Sequence, residues 1–419
     1  MKLRRVVVTG LGAVSPIGND VSTMWENAKA GVSGAGPITH FDASLFKTRF
    51  ACEVKGFDAT NFMEKKEVRK VDTHTHYGIA AAIEAMNDSG INLESENLDR
   101  FGVIFGEGVG GIHAFEEEYG PFAVNRENGP RFTPFLITKM ITDMTCGMLS
   151  IKYGLKGPNY VTTSACASSS NASMMAFDQI RLGRADVMLA GGAEAAICHV
   201  GVGGFNSMHA LSTRNDDPAG ASRPFSKSRD GFVIGEGGAC LVLEEYEHAI
   251  SRGAKIYAEV AGTGLSADAY HMTAPLPNGE GAAKVMQSAL DEAGLNPEDI
   301  DYINTHGTST YAGDIAEMSA IKTVFGEHAY ELNISSTKSM TGHLLGGAGA
   351  LEAVLTVLAI KDDIVPPTIN HAEGDEDEKI DYKLNFTFNK AQERVINAAI
   401  SNTFGFGGHN TSIAFKKIQ

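Results

Sequence analysis

The sequence predicts a layered α/β protein made of two related halves that meet near residue 255, and three observations carry that prediction. Strand-like runs alternate with helix-like periodic segments from end to end, the signature of layered α/β architecture. The periodic segments close on glycine, the usual stop for a helix. A strand, a small-residue turn and a helix recur in both halves: Tyr160 to Thr163 leads to Cys166, and Asn333 to Ser336 leads past Lys338 and His343. That correspondence implies a duplicated αβ unit, with no short tandem repeat inside it.

In chain order, the run VVV predicts a strand from Arg5 to Thr9, ended by the glycines of TGLG. A helix from Val71 to Ser89 stops at Gly90, and FGVIF gives a strand from Phe101 to Phe105. The strand from Tyr160 to Thr163 feeds a helix from Ala167 to Leu182, closed by Gly183, and a strand from Asp186 to Ala190 follows. Further strands span Ala239 to Glu244 and Ala258 to Gly262, before a helix from Ala282 to Ala293 that ends at Gly294. The second half continues with strands Tyr302 to Thr305 and Asn333 to Ser336, and a helix from about Leu344 to Ile360. Strands Val395 to Asn402 and Thr411 to Phe415 complete it. The stretch EGDEDEK, Glu373 to Lys379, reads as a solvated surface loop.

With 35 basic and 51 acidic residues among 419, the net charge is 35 − 51 = −16, which argues against general attraction to nucleic acid or anionic membrane. The five cysteines are an odd count with no CxxC pair, so neither a disulfide framework nor a metal site is expected. The apolar stretch from Ala348 to Ile360 carries Glu352 and falls short of the ~18 residues of a membrane span. MKLRRVVVTGLG runs directly into a strand and lacks the apolar region of a signal peptide, so a soluble cytoplasmic protein is expected.

Chemistry concentrates in four loops. VTTSACASSS places Cys166 at a strand-to-helix junction, where the helix N-terminus is expected to favour thiolate and its amides to hold an oxyanion. NTHGTST carries His306, and SSTKSMTGHLLGGAGA carries Lys338 and His343. Loops beyond the carboxyl ends of parallel strands converge, so these three side chains are expected near Cys166. The loop NTFGFGGHN lies between two strands, which excludes dinucleotide binding despite its glycines, and TGLGAV lacks the third glycine of that motif. No Walker-type phosphate loop occurs.

TSACASS, THGTST, STKSMTGH and FGFGG stand in the order and separations of β-ketoacyl-acyl carrier protein synthases, and the chain resembles the synthase II type over nearly its whole length. The resemblance implies a thiolase-like fold of mixed, mostly parallel sheets in an α-β-α-β-α arrangement. Residues 1–255 would carry the cysteine and residues 256–419 the two histidines. It makes Cys166 the acyl-accepting nucleophile, His306 and His343 the groups that promote malonyl decarboxylation, and Lys338 their electrostatic support. Phe404 would supply an oxyanion-hole amide and a gating ring, Thr308 and Thr310 would contact the pantetheine arm, and Val109 would line the far end of the acyl pocket. No metal or organic cofactor is implied. The partners implied are acyl carrier protein and a second copy of the chain. A specialised polyene or polyketide ketosynthase, or a non-catalytic chain-length partner, is the alternative; such partners lack the nucleophile that Cys166 supplies.

Lys65, Lys66, Arg69 and Lys70 share one face if MEKKEVRKVD is helical, and this basic patch on an acidic chain suits an acidic carrier protein. Arg131 and Arg214 match family positions near the entrance and join that docking set. Glu107 departs from the family pattern, standing in FGEGVGG where a small residue is common.

Overall fold

The computed structural model describes residues 3–418. Ten strands form one continuous sheet. The first five are β1 (Val6–Val14), β2 (Phe101–Gly106), β3 (Asn159–Thr162), β4 (Val187–Glu194) and β5 (Gly237–Glu245). The second five are β6 (Ala258–Ala267), β7 (Tyr302–Asn304), β8 (Asn333–Ser335), β9 (Ala398–Gly405) and β10 (His409–Lys416). The first set is ordered β3-β2-β4-β5-β1 and the second β8-β7-β9-β10-β6, the same topology twice. The sets join where Val6–Val8 of β1 pairs antiparallel with Ala258–Val260 of β6. In each set the second strand pairs parallel to the third and fourth, and the remaining neighbours pair antiparallel. Within each set four of the five strands therefore point one way, and the two sets run in opposite directions, so the sheet is mixed and antiparallel ladders hold its middle together.

Helices α1 (Thr73–Ser89) and α3 (Glu280–Ala293) cover the outer faces, each linking the first strand of its half to the second. Helix α4 (Tyr311–Phe325) follows β7 and packs on α3. Between the two halves lie α2 (Ser168–Arg181) and α5 (Ala348–Asp362), which occupy corresponding places after β3 and β8. Helix α5 is buried from Ala348 through Ile360, as a helix enclosed between the two halves of the sheet must be, and it is apolar all round except at Glu352 and Thr356. The arrangement is the expected layering, helix, sheet, helix pair, sheet, helix.

Strand β1 runs five residues beyond the expected Thr9. Gly10 and Gly12, read from sequence as a turn, lie on the strand face pressed against α1. A Cβ there would stand 2.2 Å from the Ala85 carbonyl oxygen and 1.9 Å from that of Ala81. The acidic stretch after residue 372 is exposed except at the half-buried Asp375, which accepts from Ser228, and the buried Asp377, which pairs at 2.9 Å with the fully buried Arg229 and pins the loop beside Thr310.

Candidate functional site

Cys166 lies between the end of β3 and the first turn of α2, and Ala165 before it has a left-handed backbone, φ +51°. Such a non-glycine conformation costs of order 1–3 kcal/mol and is maintained by its surroundings. The side chain meets a cavity of about 310 Å³ that is also lined by His306, Thr308, Thr310, His343, Leu345, Phe404 and Phe406. Residues from the carboxyl ends of strands in both halves thus share one space.

His306 follows β7, and its loop is held by Glu317 of α4, whose carboxylate accepts the N–H groups of His306 and Gly307 at 2.9 Å each. His343 follows the short helical turn Lys338–Thr341, and its backbone bonds to Val233 and Gly235 at 2.8 and 2.9 Å. The two imidazole centroids are 5.2 Å apart with planes at 86°. Phe404 stands 5.8 Å from the ring of His306, and Phe232 stands 5.4 Å from that of His343. Neither histidine Nδ1 has a hydrogen-bond partner within the protein.

Lys338 is buried behind these rings and outside the cavity, and its ammonium bonds to the carboxylate of Glu352 on α5. Burial first, and the Lys338 charge second, hold both imidazoles well below the ordinary histidine range; His343 adds to the effect on His306. Both are neutral at physiological pH. Burial also lifts the Glu352 carboxyl to about 7, with Lys338 opposing it.

One expectation for the sulfur needs correction. The helix N-terminus does not produce a thiolate: burial pushes the Cys166 thiol up to about 11, only partly offset by a backbone N–H of Phe406 and the Lys338 charge, while Glu194 raises it further. The amides of Ala167 and Ser168, which the helix would otherwise offer, are spent on the carbonyls of Ser164 and Ala165 at 3.1 Å each. The loop amide that reaches the sulfur is that of Phe406, whereas Phe404, expected to supply an oxyanion-hole amide, lies opposite Asn410 in the β9–β10 ladder with its ring at the cavity wall.

Thr308 and Thr310 lie at the cavity wall with their hydroxyls 3.0 Å apart. Val109 is not brought into the cavity; it is 41% exposed on a surface with Phe115, Ile137 and Ile141. Lys65 and Lys66 stand in a helical turn, Lys65–Val68, with Arg69 next to it, and all three are exposed. The Lys70 carbonyl accepts from Thr138 at 2.9 Å, which sets this basic turn against the segment after the exposed Arg131. Arg214 is half-buried and donates to the Ser228 carbonyl at 3.2 Å.

Four contributors escaped the sequence reading: Glu194, Glu317, Glu352 and the amide of Phe406. Only Glu352 carried a usable signal, a lone carboxylate in a thirteen-residue apolar run that demands a cation. All five cysteines are buried and free. Among the described residues no group of three or more His, Cys, Asp or Glu is placed to hold a metal ion, and no helix is long and apolar enough to cross a membrane.

A duplicated, five-layered α/β core with the cysteine on one half and the histidines on the other defines a thiolase-like condensing enzyme. The chain belongs to the beta-ketoacyl synthase family: residues 3–249 match the model of its N-terminal domain and residues 257–372 that of its C-terminal domain. It is 49% identical over 420 residues to 3-oxoacyl-[acyl-carrier-protein] synthase 2 of Synechocystis sp., covering 100% of this chain and 99% of that one. A beta-ketoacyl synthase structure from Burkholderia phymatum superimposes with TM-score 0.91 at 36% identity over 99% of this chain and 100% of that one. A ketosynthase solved with its type II polyketide acyl-carrier protein, bound to the hexaketide, gives 0.89 at 34% identity over 100% of both chains.

Proposed function

We propose that this chain condenses an acyl group held on Cys166 with malonyl-acyl carrier protein, giving 3-oxoacyl-acyl carrier protein and carbon dioxide, in fatty acid elongation. The observation that carries the reading is the convergence of Cys166, His306 and His343 on one cavity, with both imidazoles kept neutral. The Cys166 sulfur attacks the acyl thioester carbonyl, its proton leaves with the carrier thiol, and the amides of Cys166 and Phe406 face the oxyanion. The malonyl carboxylate then departs as carbon dioxide, and the enolate oxygen receives hydrogen bonds from the neutral imidazoles. The enolate carbon attacks the Cys166 thioester, a carbon–carbon bond forms, and the sulfur leaves and takes up a proton.

The same reading divides the chain near residue 255 and places it in the cytoplasm as a homodimer, whose second copy covers the exposed face around Val109, Phe115, Ile137 and Ile141. Val109 then closes the far end of the acyl pocket at that interface. The basic turn Lys65 to Lys70, with Arg131 and Arg214, receives the carrier protein, and Thr308 and Thr310 receive its pantetheine arm. A specialised ketosynthase is the second reading, favoured by the resemblance to the hexaketide-bound ketosynthase. The higher identity to a 3-oxoacyl-[acyl-carrier-protein] synthase 2 favours the first. Purified protein supplied with acyl and malonyl carriers should release one carbon dioxide per 3-oxoacyl product; absence of both would refute the condensing function.

A further inference from the structure

Two turns meet behind Cys166. One, Gly108 to Gly110, follows β2 and carries Val109. The other, Leu344 to Gly347, follows His343 and carries Leu345, which lines the cavity with a left-handed backbone, φ +48°. A single buried carboxylate, Glu194 at the end of β4, holds both. Its oxygens accept the N–H groups of Gly108 at 2.9 Å, Val109 at 3.1 Å, Gly110 at 3.0 Å and Gly346 at 3.1 Å. The space is shaped to the carboxylate: a Cβ on Gly108 or on Gly346 would stand 2.7 Å from Glu194 Oε2. Bonds from four amides to one carboxylate are of the strong, charge-assisted kind.

We propose that Glu194 is a positioning residue that ties the Val109 turn to the His343 turn, so that acyl-chain length and the setting of the cavity wall beside the histidines are coupled through one carboxylate. The inference rests on the condensing function proposed above and adds to it a determinant of chain selectivity.

A tie made by an ionisable group has a measurable signature. Burial lifts the Glu194 carboxyl to about 7. Glu107 adds to the rise and His74 opposes it; His74 lies 3.0 Å from Glu107 and 3.5 Å from Asp72, and Thr145 donates to Glu107 at 2.6 Å. On the inner side the facing titratable group is the Cys166 thiol. Below about pH 7 Glu194 takes up a proton, loses acceptor capacity and loosens the tie.

The experiment compares hexadecanoyl with hexanoyl transfer from carrier to enzyme, as a ratio of kcat/KM, in the wild type and in Glu194→Gln. The glutamine replaces one acceptor oxygen with a donor, so part of the amide set is lost. The long-to-short ratio is expected to fall about tenfold in the variant, as for the loss of one charged hydrogen bond. In the wild type it should fall in the same sense between about pH 8 and about pH 6, while the variant's ratio stays flat. Taking the ratio cancels any titration of Cys166 or the histidines. Gly108→Ala, whose Cβ would press on the same oxygen at 2.7 Å before any backbone atom, should reproduce the deficit if Glu194→Gln fails to fold. Equal losses for both chains, or a wild-type ratio independent of pH, would overturn the proposal. A wild type that transfers neither chain would instead count against the condensing function.

Discussion

Burial sets the ionisation of Cys166, His306 and His343, and Lys338 modifies each in a direction that its charge dictates: it stabilises thiolate and opposes imidazolium. Because the thiol is raised to about 11, thiolate is a minor species at neutral pH, and it grows as pH rises. Iodoacetamide alkylation of Cys166 should therefore climb about tenfold per pH unit towards about 11; a plateau reached below about pH 8 would place the thiolate where the fold does not. The imidazoles behave oppositely. Their depressed values keep the neutral, decarboxylating form through the ordinary histidine range, so carbon dioxide release should show no step near pH ~6.5 and should fail only in stronger acid. His306→Ala and His343→Ala should cut decarboxylation by about 10²–10⁴ while acylation falls less; equal losses in both half-reactions would remove the histidines from the enolate step.

The site is held together at the level of elements by ion pairs and carboxylate–amide bonds that cross between them. Helix α5 brings Glu352 to Lys338 in a region without water-facing surface, so removing one partner leaves a buried charge alone. Lys338→Met should destabilise the protein by about 3–5 kcal/mol, and adding Glu352→Gln should recover part of that loss; denaturant unfolding of the two variants checks it, and an unchanged or lower stability in the double variant would contradict the pairing. All ten strands of the main sheet were legible because β-branched runs and glycine stops mark them locally, as were the helices that begin after Cys166 and His343. The end of β1 was not, because Gly10 and Gly12 look alike in a turn and in a strand pressed on a helix. The helix Ile112–Val124 was not foreseen either: it contains Pro121 and exposes Phe115 and Tyr119, so it has no clean apolar face. In the site, cysteine, histidine and lysine were readable from their small-residue loops, and the threonines only through the family resemblance. Glu194 and Glu317 were not, because they serve backbone amides, and an amide leaves no mark on the sequence.

Over the whole molecule, a net charge of −16 repels an acidic carrier protein, and the exposed turn around Lys66 and Arg69 offers it a local exception. Reversing Lys66 and Arg69 to Glu should raise KM for carrier-bound substrates several-fold at low salt, with the difference shrinking as salt rises and with little effect on acyl-coenzyme A. Equal effects on both donors would move the docking face elsewhere. The two halves meet at one reactive atom, the Cys166 sulfur, facing histidines supplied by the other half. The most direct measurement is therefore the intact mass of the protein after incubation with an acyl-carrier donor in the absence of malonyl carrier. One acyl adduct per chain is predicted, located on the peptide containing Cys166, absent in Cys166→Ala and discharged on adding malonyl carrier. An adduct that survives Cys166→Ala, or that malonyl carrier does not remove, would contradict the account.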